Sequence, residues 1–234
     1  MSTAIYQGQL REKNLLERIV ASKAFWAIFL LLSFSYPIIR SVNRELPDRL
    51  PVYHKIPQFN FTNEMGQKTS SESLKGRVYM ANFIFTTCPT SCPGIVEKLR
   101  KVQKRIRGVG DRAKIVTFTV DPENDNPEVL YKFARKNGIN PKLWTFLTGD
   151  YDAMNKLIVG GFKVPMGKLE EVNKKFNDSD ITMFDIAHTE KIVLVDQLGQ
   201  TRGYYSLDDE SVNRLMVDVG LLVNRPPEKL TATN

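Results

Sequence analysis

Two cysteines and two histidines, Cys88, Cys92, His54 and His188, must carry any thiol or soft-metal chemistry in this 234-residue chain. The cysteines stand in TTCPTSCP at 86–93 with three residues between them. A turn of that length brings both sulfurs to one side, close enough to share a metal ion or to form a disulfide. Pro93 suits the first position of a helix, which puts Cys92 at or near the N-cap, where free N–H groups and the helix dipole favour a thiolate. The plain alternative is a structural disulfide, or two thiols that fill space. So small a closed loop stabilises little, and the flanking prolines already hold the turn. Haem attachment is excluded, because it needs C-x-x-C-H and this segment has one more spacer and no adjacent histidine.

Two thiolates suit Cu(I), and one imidazole would complete a three-coordinate site that also takes Cu(II) with an added weak ligand. Zinc is satisfied by the same donors and a water. His188, in FDIAHTEKIVLV, precedes a strand-like run and could meet a neighbouring strand end. From the residues alone a lone histidine at such a junction is more often structural than a ligand, so the third donor stays open at this point. His54 lies in a polar stretch, reads as solvated, and is left out.

These residues need a scaffold. Residues 77–85 (RVYMANFIF) and 113–120 (AKIVTFTV) are rich in β-branched and aromatic types, and 143–147 and 190–196 read likewise as strands. Helices alternate with them. In 93–107, Ile95, Leu99, Val102 and Ile106 recur at helical spacing, with Lys98, Arg100, Lys101, Lys104, Arg105 and Arg107 off that stripe. A second helix over 127–137 starts with Asn126 as cap, Pro127 in the first position and Glu128 beside the positive end, and stops at Gly138. Helices near 152–159 and 210–223 and a hairpin around Leu198-Gly199, between 190–196 and 201–206, complete the order. This predicts a layered α/β fold with a mixed sheet flanked by helices. Both thiols then sit beyond the end of the strongest strand, where parallel sheets present their ligands.

Residues 24–39, AFWAIFLLLSFSYPII, carry no charge and lie between Lys23 and Arg40. Sixteen residues make a helix of about 24 Å, slightly short for a bilayer, with Lys23 and Arg40 able to snorkel to the headgroups. The run is hydrophobic all round, unlike a surface-type core helix. It is expected to be an uncleaved N-terminal transmembrane helix. The expected division is a cytoplasmic leader at 1–23, the anchor at 24–39, a tether at 40–51 with polar character persisting to about 58, a domain at 52–224 and a flexible tail at 225–234. Residues 163–185 read as a polar insertion. Glu12 and Glu17 argue against an acid-poor mitochondrial presequence, so the expected location is a bacterial inner membrane, single-pass, with the domain in the periplasm.

Composition narrows the function. At 42% hydrophobic and 25% charged residues, with 14 Gly and 12 Pro, disordered, collagen-like, disulfide-scaffold and polytopic membrane classes are excluded. The net charge of +7 permits an anionic partner. Nothing interleaves the basic residues with aromatics for nucleic acid. Gly108 and Gly110 follow a helix, so they read as a helix stop and not a nucleotide loop.

Three segments together, FIFTTCPTSCP at 83–93, VDPENDNPEVL at 120–130 and AHTEKIVLVDQLG at 187–199, resemble the Sco/SenC family in order and over about residues 52–224. The family consists of exported copper proteins of thioredoxin-like fold that serve cytochrome c oxidase assembly. The resemblance implies copper ligands at Cys88, Cys92 and His188. It brings Asp121 near the site, although an Asp-Pro turn explains that residue equally well. Asn126 stands where the family usually has Thr, and Thr189 where it has Ser; both keep capping or hydroxyl hydrogen bonding. Met166 and Met183 in the insertion could approach copper, but read better as filler.

The expected function is a copper chaperone, a metallochaperone and not an enzyme, that delivers one copper ion to the binuclear copper site of an oxidase subunit, with other copper carriers as further partners. Two alternatives accompany it. One is a thiol-disulfide oxidoreductase in which Cys88 and Cys92 are redox-active and reduce partner cysteines. The other is a redox or copper sensor that docks through the basic face around Lys98, Lys101 and Arg105.

Overall fold

The computed structural model describes residues 14–42, 48–87, 92–164 and 191–225, and for Val42, Cys92 and Pro93 the backbone only. The chain divides into two compact units, Met1–Arg49 and Leu50–Asn234.

In the first unit, α1 (Leu15–Val20) starts with a capping box between Asn14 and Glu17. It is followed by α2 (Lys23–Val42), which contains the uncharged run and one internal proline, Pro37. The stretch Lys23–Ser41 has a mean hydropathy of 1.5 and none of it is buried, so by length and composition this helix can cross a membrane.

The second unit is built on an eight-stranded sheet. Its strands are β1 (His54–Lys55), β2 (Asn60–Asn63), β3 (Lys68–Ser70), β4 (Val78–Ile84), β5 (Ala113–Thr119), β6 (Trp144–Thr148), β7 (Lys191–Val195) and β8 (Gln200–Ser206). They lie side by side in the order β1-β8-β7-β4-β5-β6-β2-β3. The centre β4-β5-β6 is parallel, and β7, β8, β1 on one side and β2, β3 on the other pair antiparallel. The parallel strands need crossovers, which helices supply. These are α4 (Cys92–Ile106), a 3-10 segment (Arg107–Arg112) and α5 (Pro127–Lys136). Two short helices, α3 (Ser71–Leu74) and α6 (Tyr151–Asn155), and the long α7 (Asp209–Asn224) complete the domain.

All seven residues of β4 are buried, as expected of a central strand covered on both faces. Alternate side chains feed two cores. Val78, Met80 and Ile84 join Ile115, Trp144 and Phe146 under α4, α5 and α7, where Leu99, Val102, Ile106, Leu130, Leu215 and Val219 meet them. Tyr79, Ala81 and Phe83 join Phe118, Leu147 and Val193 beneath Phe59, Phe61, Met154, Ile158 and Phe162. The apolar stripe expected on α4 is the buried one, and Val96 extends it. Among the described residues, both cores are made of residues of the second unit.

The local signals hold. Asn126 Oδ1 accepts from the Val129 amide at 3.0 Å, Pro127 opens α5, and Gly138 follows its C-cap with a φ of +63°, a left-handed conformation that ends helices readily. The β7–β8 hairpin turns at Gly199, with a φ of +76°. The expected helix at 152–159 is shorter, because regular α-helix stops at Asn155 and the chain continues as a π-helical segment, Lys156–Gly161. Strands β1, β2 and β3 had no counterpart in the expectation. The insertion expected at 163–185 and the tail at 225–234 lie almost wholly outside the described residues.

Candidate functional site

At the C-terminal edge of the parallel strands the described chain stops just short of Cys88 and resumes at Cys92, and it resumes again after His188. Ile84 is paired with Thr119, and the Val120 amide donates to the Ile84 carbonyl at 3.1 Å, so β4 and β5 leave the sheet side by side. Helix α4 begins on the same side, with Cys92 as its first residue. Strand β7 runs antiparallel to β4 in the register Ala81↔Val193. Two further steps bring Lys191 level with Phe83, so the chain arrives at β7 from the edge at which it leaves β4. Cys88 is four residues beyond Ile84, and His188 is three before Lys191. At about 3.3–3.6 Å per residue, such stretches reach no more than ~14 Å and ~11 Å. Cys88, His188, Met166 and Met183 themselves lie outside the described residues, and of Cys92 only the backbone is described. No group of three or more His, Cys, Asp or Glu side chains able to hold a metal ion occurs among the described residues.

A buried carboxylate organises this edge. Asp125 has no exposed surface. The Thr86 amide donates to its two oxygens at 3.2 and 3.1 Å, the Thr86 hydroxyl donates to Oδ1, and the Thr119 hydroxyl donates to Oδ2. The Asp121 amide in turn donates to Thr119 Oγ1 at 3.0 Å, and the Asp125 amide to the Asp121 carbonyl at 2.9 Å. Burial pushes the Asp125 carboxyl above the ordinary carboxylate value, and the hydroxyl and amide donors from Thr119 and Thr86 pull it back in part; the nearby Asp121 charge adds to the upward push. The Asp121 carboxylate accepts from Asn124 Nδ2 at 3.1 and 2.8 Å, which is the turn role that an Asp-Pro sequence implies.

Beneath this lies a second polar chain inside the core. Trp144 Nε1 donates to Thr117 Oγ1 at 2.7 Å, and that hydroxyl donates to Asn82 Oδ1 at 2.8 Å. Asn82 Nδ2 is buried and has no partner among the described residues.

His54, set aside from the sequence, sits on β1 with Nε2 3.2 Å from Thr201 Oγ1 and its ring 6.5 Å from that of Tyr204. It belongs to the β1–β8 edge strands. On the basic helix, Arg105 Nη1 donates to Asn213 Oδ1 at 2.7 Å, which ties α4 to α7. Asp125, Thr86 and Thr119 were missed from the sequence: Asp125 stands next to a helix cap and reads as part of it, and its partner Thr86 is 39 residues away.

The family described as SCO1/SenC matches residues 48–220. The chain belongs to the SCO1/SenC family. The SCO1 protein homolog of Bacillus subtilis is 35% identical over 130 residues, covering 55% of this chain and 67% of that protein. Among solved structures, BsSco, a member of the Sco family of cytochrome c oxidase assembly proteins in which a disulfide switch has been identified, superposes with a TM-score of 0.63 at 30% identity, over 75% of this chain and 97% of its own. Bradyrhizobium japonicum ScoI, solved with copper bound, shares the fold with a TM-score of 0.57 at 23% identity, over 71% of this chain and 98% of its own. The second unit is thus a thioredoxin-like Sco domain, a mixed sheet flanked by helices, as the sequence resemblance implied.

Proposed function

We propose that this chain is a membrane-anchored copper carrier: Cys88, Cys92 and His188 hold one copper ion as cargo and pass it to the binuclear copper site of a cytochrome c oxidase subunit during assembly. The observation that carries this reading is the strand register, in which the outward end of β4, the start of α4 and the inward end of β7 share one edge. Two thiols and an imidazole are a donor set suited to copper, whose Cu(I) form prefers soft ligands. Helix α4 opens at Cys92 over 15 residues, and the start of a helix is where the dipole favours the ionised, metal-binding form of a thiol. The solved relatives, one with copper bound and one from a family of cytochrome c oxidase assembly proteins, support copper as the cargo and oxidase assembly as the process it serves.

The apolar helix would be the anchor, with 1–23 on the cytoplasmic side, 40–51 as tether and the domain in a bacterial periplasm. Because both cores lie within the second unit, residues 45–234 can be tested as a domain. Purified and reduced, it should bind about one equivalent of copper. Cys88→Ser and His188→Ala should each weaken that binding severely, since the number of soft donors sets affinity. Copper binding unchanged in both variants would end the proposal, as would metal analysis of the native protein that finds zinc in place of copper.

A second reading, thiol-disulfide exchange with partner cysteines, draws on the same helix start and on the disulfide switch of BsSco. It needs both sulfurs and no imidazole. A His188→Ala variant that retained full biological activity would favour it over copper delivery.

A further inference from the structure

We infer that Asp125 is a positioning residue for the cysteine turn: by clamping Thr86 to Thr119 it fixes the direction in which the chain leaves β4 towards Cys88, and thereby the metal affinity and acidity of the two thiols. The inference rests on the reading of Cys88 and Cys92 as the working thiols.

The geometry is specific in three ways. First, Thr86 is held twice, by its backbone N–H and by its side-chain hydroxyl, both on the same carboxylate. One bond would leave the residue free to rotate about it; two fix the backbone and the side chain together, two positions before Cys88. Second, Asp125 is not occupied with α5. Asn126 caps that helix through its own side chain, which leaves the Asp125 carboxylate to reach across to the ends of β4 and β5. Third, the group is a fully buried carboxylate whose hydrogen-bond partners among the described residues are neutral donors. Loss of one of those donors leaves a lone pair buried and unsatisfied, so the arrangement resists opening. Groups that hydrogen-bond a metal's own ligands commonly change metal affinity by about 10- to 100-fold when removed, because they orient the ligands; Asp125 acts on the backbone that leads to Cys88 through Thr86, so the lower end of that range is expected.

The test uses residues 45–234 and four variants. Asp125→Asn removes the charge and one acceptor, Thr86→Val removes the hydroxyl and keeps the amide, and Thr86→Ser keeps both contacts. Glu64→Gln is the control: its buried carboxylate likewise accepts from a threonine hydroxyl, Thr145 at 2.9 Å, and from a backbone amide, Phe146 at 2.9 Å, but it sits at the β2–β6 side of the sheet. Three quantities are read: Cu(I) affinity by competition with a chromogenic chelator, the alkylation rate of the reduced metal-free thiols against pH, and the urea midpoint. Asp125→Asn and Thr86→Val should bind Cu(I) about tenfold or more weakly and shift the alkylation profile along the pH axis. Thr86→Ser should follow the wild type in both. Glu64→Gln should lower the urea midpoint and leave both thiol readouts where they were. If Asp125→Asn does not fold, Thr86→Val carries the test. Wild-type Cu(I) affinity with a superimposable alkylation profile in Thr86→Val overturns the inference, and so does a Glu64→Gln control that moves both readouts as far. A Cys88→Ser variant that binds copper normally would sink the copper assignment separately, while the metal-free alkylation profile would still decide the role of Asp125.

Discussion

At each end of the central strand β4 a carboxylate is withdrawn from water, and the two are satisfied by different means. At the N-terminal end, Asp196 directly follows β7. It accepts from the Leu198 and Gln200 amides at 2.9 Å each and pairs with Arg202, whose Nη1 lies 3.2 Å away; both side chains are within 3% of full burial. The same guanidinium reaches the Leu50 carbonyl at 2.7 Å, so one cation holds the hairpin and the first residue of the domain together. At the C-terminal end, the partners of the Asp125 carboxylate among the described residues are hydroxyls and an amide. A buried ion pair is rigid and unforgiving: it cross-links elements and tolerates no missing partner. A carboxylate met by neutral donors tolerates smaller changes and can aim the segment that donates to it. The N-terminal end is cross-linked by charge, and the end that leads to the cysteines is oriented by hydrogen bonds.

The difference can be broken most forcefully at the ion pair. Arg202→Met leaves Asp196 buried without its cation and should cost about 3–5 kcal/mol, the usual consequence of breaking such a pair from one side. Urea denaturation of residues 45–234 measures it. Copper affinity of the fraction that remains folded should be unchanged, since Asp196 and Arg202 lie at the opposite end of β4 from the point where the chain leaves it towards Cys88. If Asp125→Asn proves the more destabilising of the two, the contrast between the ends is wrong.

Asp125→Asn should cost less, about 1–3 kcal/mol, the range for leaving buried hydrogen-bonding groups unsatisfied, and its cost should depend on pH. Burial raises the Asp125 carboxyl above its ordinary value of 3.8. Between that value and the raised one, the folded protein keeps a proton that the unfolded chain has lost, so the contribution of this group to stability falls as pH rises through the window. The wild type's advantage over Asp125→Asn should therefore be largest near pH 4 and narrow towards neutrality. Paired urea titrations at several pH values check the sign; an advantage that widens with pH would mean that the hydrogen bonds from Thr86 and Thr119 outweigh desolvation.

What could be read in advance follows the range of the interactions. The stripe on α4, the buried run of β4 and the start and stop of α5 are set by neighbours three or four residues away, and they stand as expected. Strands β1, β2 and β3 are two to four residues long, only partly buried, and owe their pairing to distant segments: Thr62 meets Thr148 and His54 meets Thr201. Such short edge strands carry too little alternation to be recognised alone. The site divides the same way. The spacing of Cys88 and Cys92, next to Pro93, was a local signal, whereas His188 was an open possibility from the residues and became the implied ligand through family resemblance, because a lone histidine at a strand start has no local signature. Asp125 had the weakest signal of all. Its role depends on hydroxyls brought together by the parallel pairing of β4 and β5, and nothing adjacent to it in the chain announces that.

The smallest expected effect separates two residues that adjoin in sequence. Asn126 and Asp125 stand side by side, yet one serves α5 and the other the strand ends. Asn126→Ala removes the acceptor for the Val129 amide and should cost about 1 kcal/mol, the typical value for an N-cap. Pro127 in the first helical position lacks an N–H and is already shaped for a helix, so the helix start keeps part of its definition and the loss should not exceed that figure. Because the bonds from Thr86 and Thr119 end on Asp125, the Cu(I) affinity and the thiol alkylation profile of Asn126→Ala should match the wild type while its urea midpoint drops. A thiol readout that moved with this cap would show that the cysteine edge senses the whole β5–α5 junction and not the Asp125 carboxylate in particular.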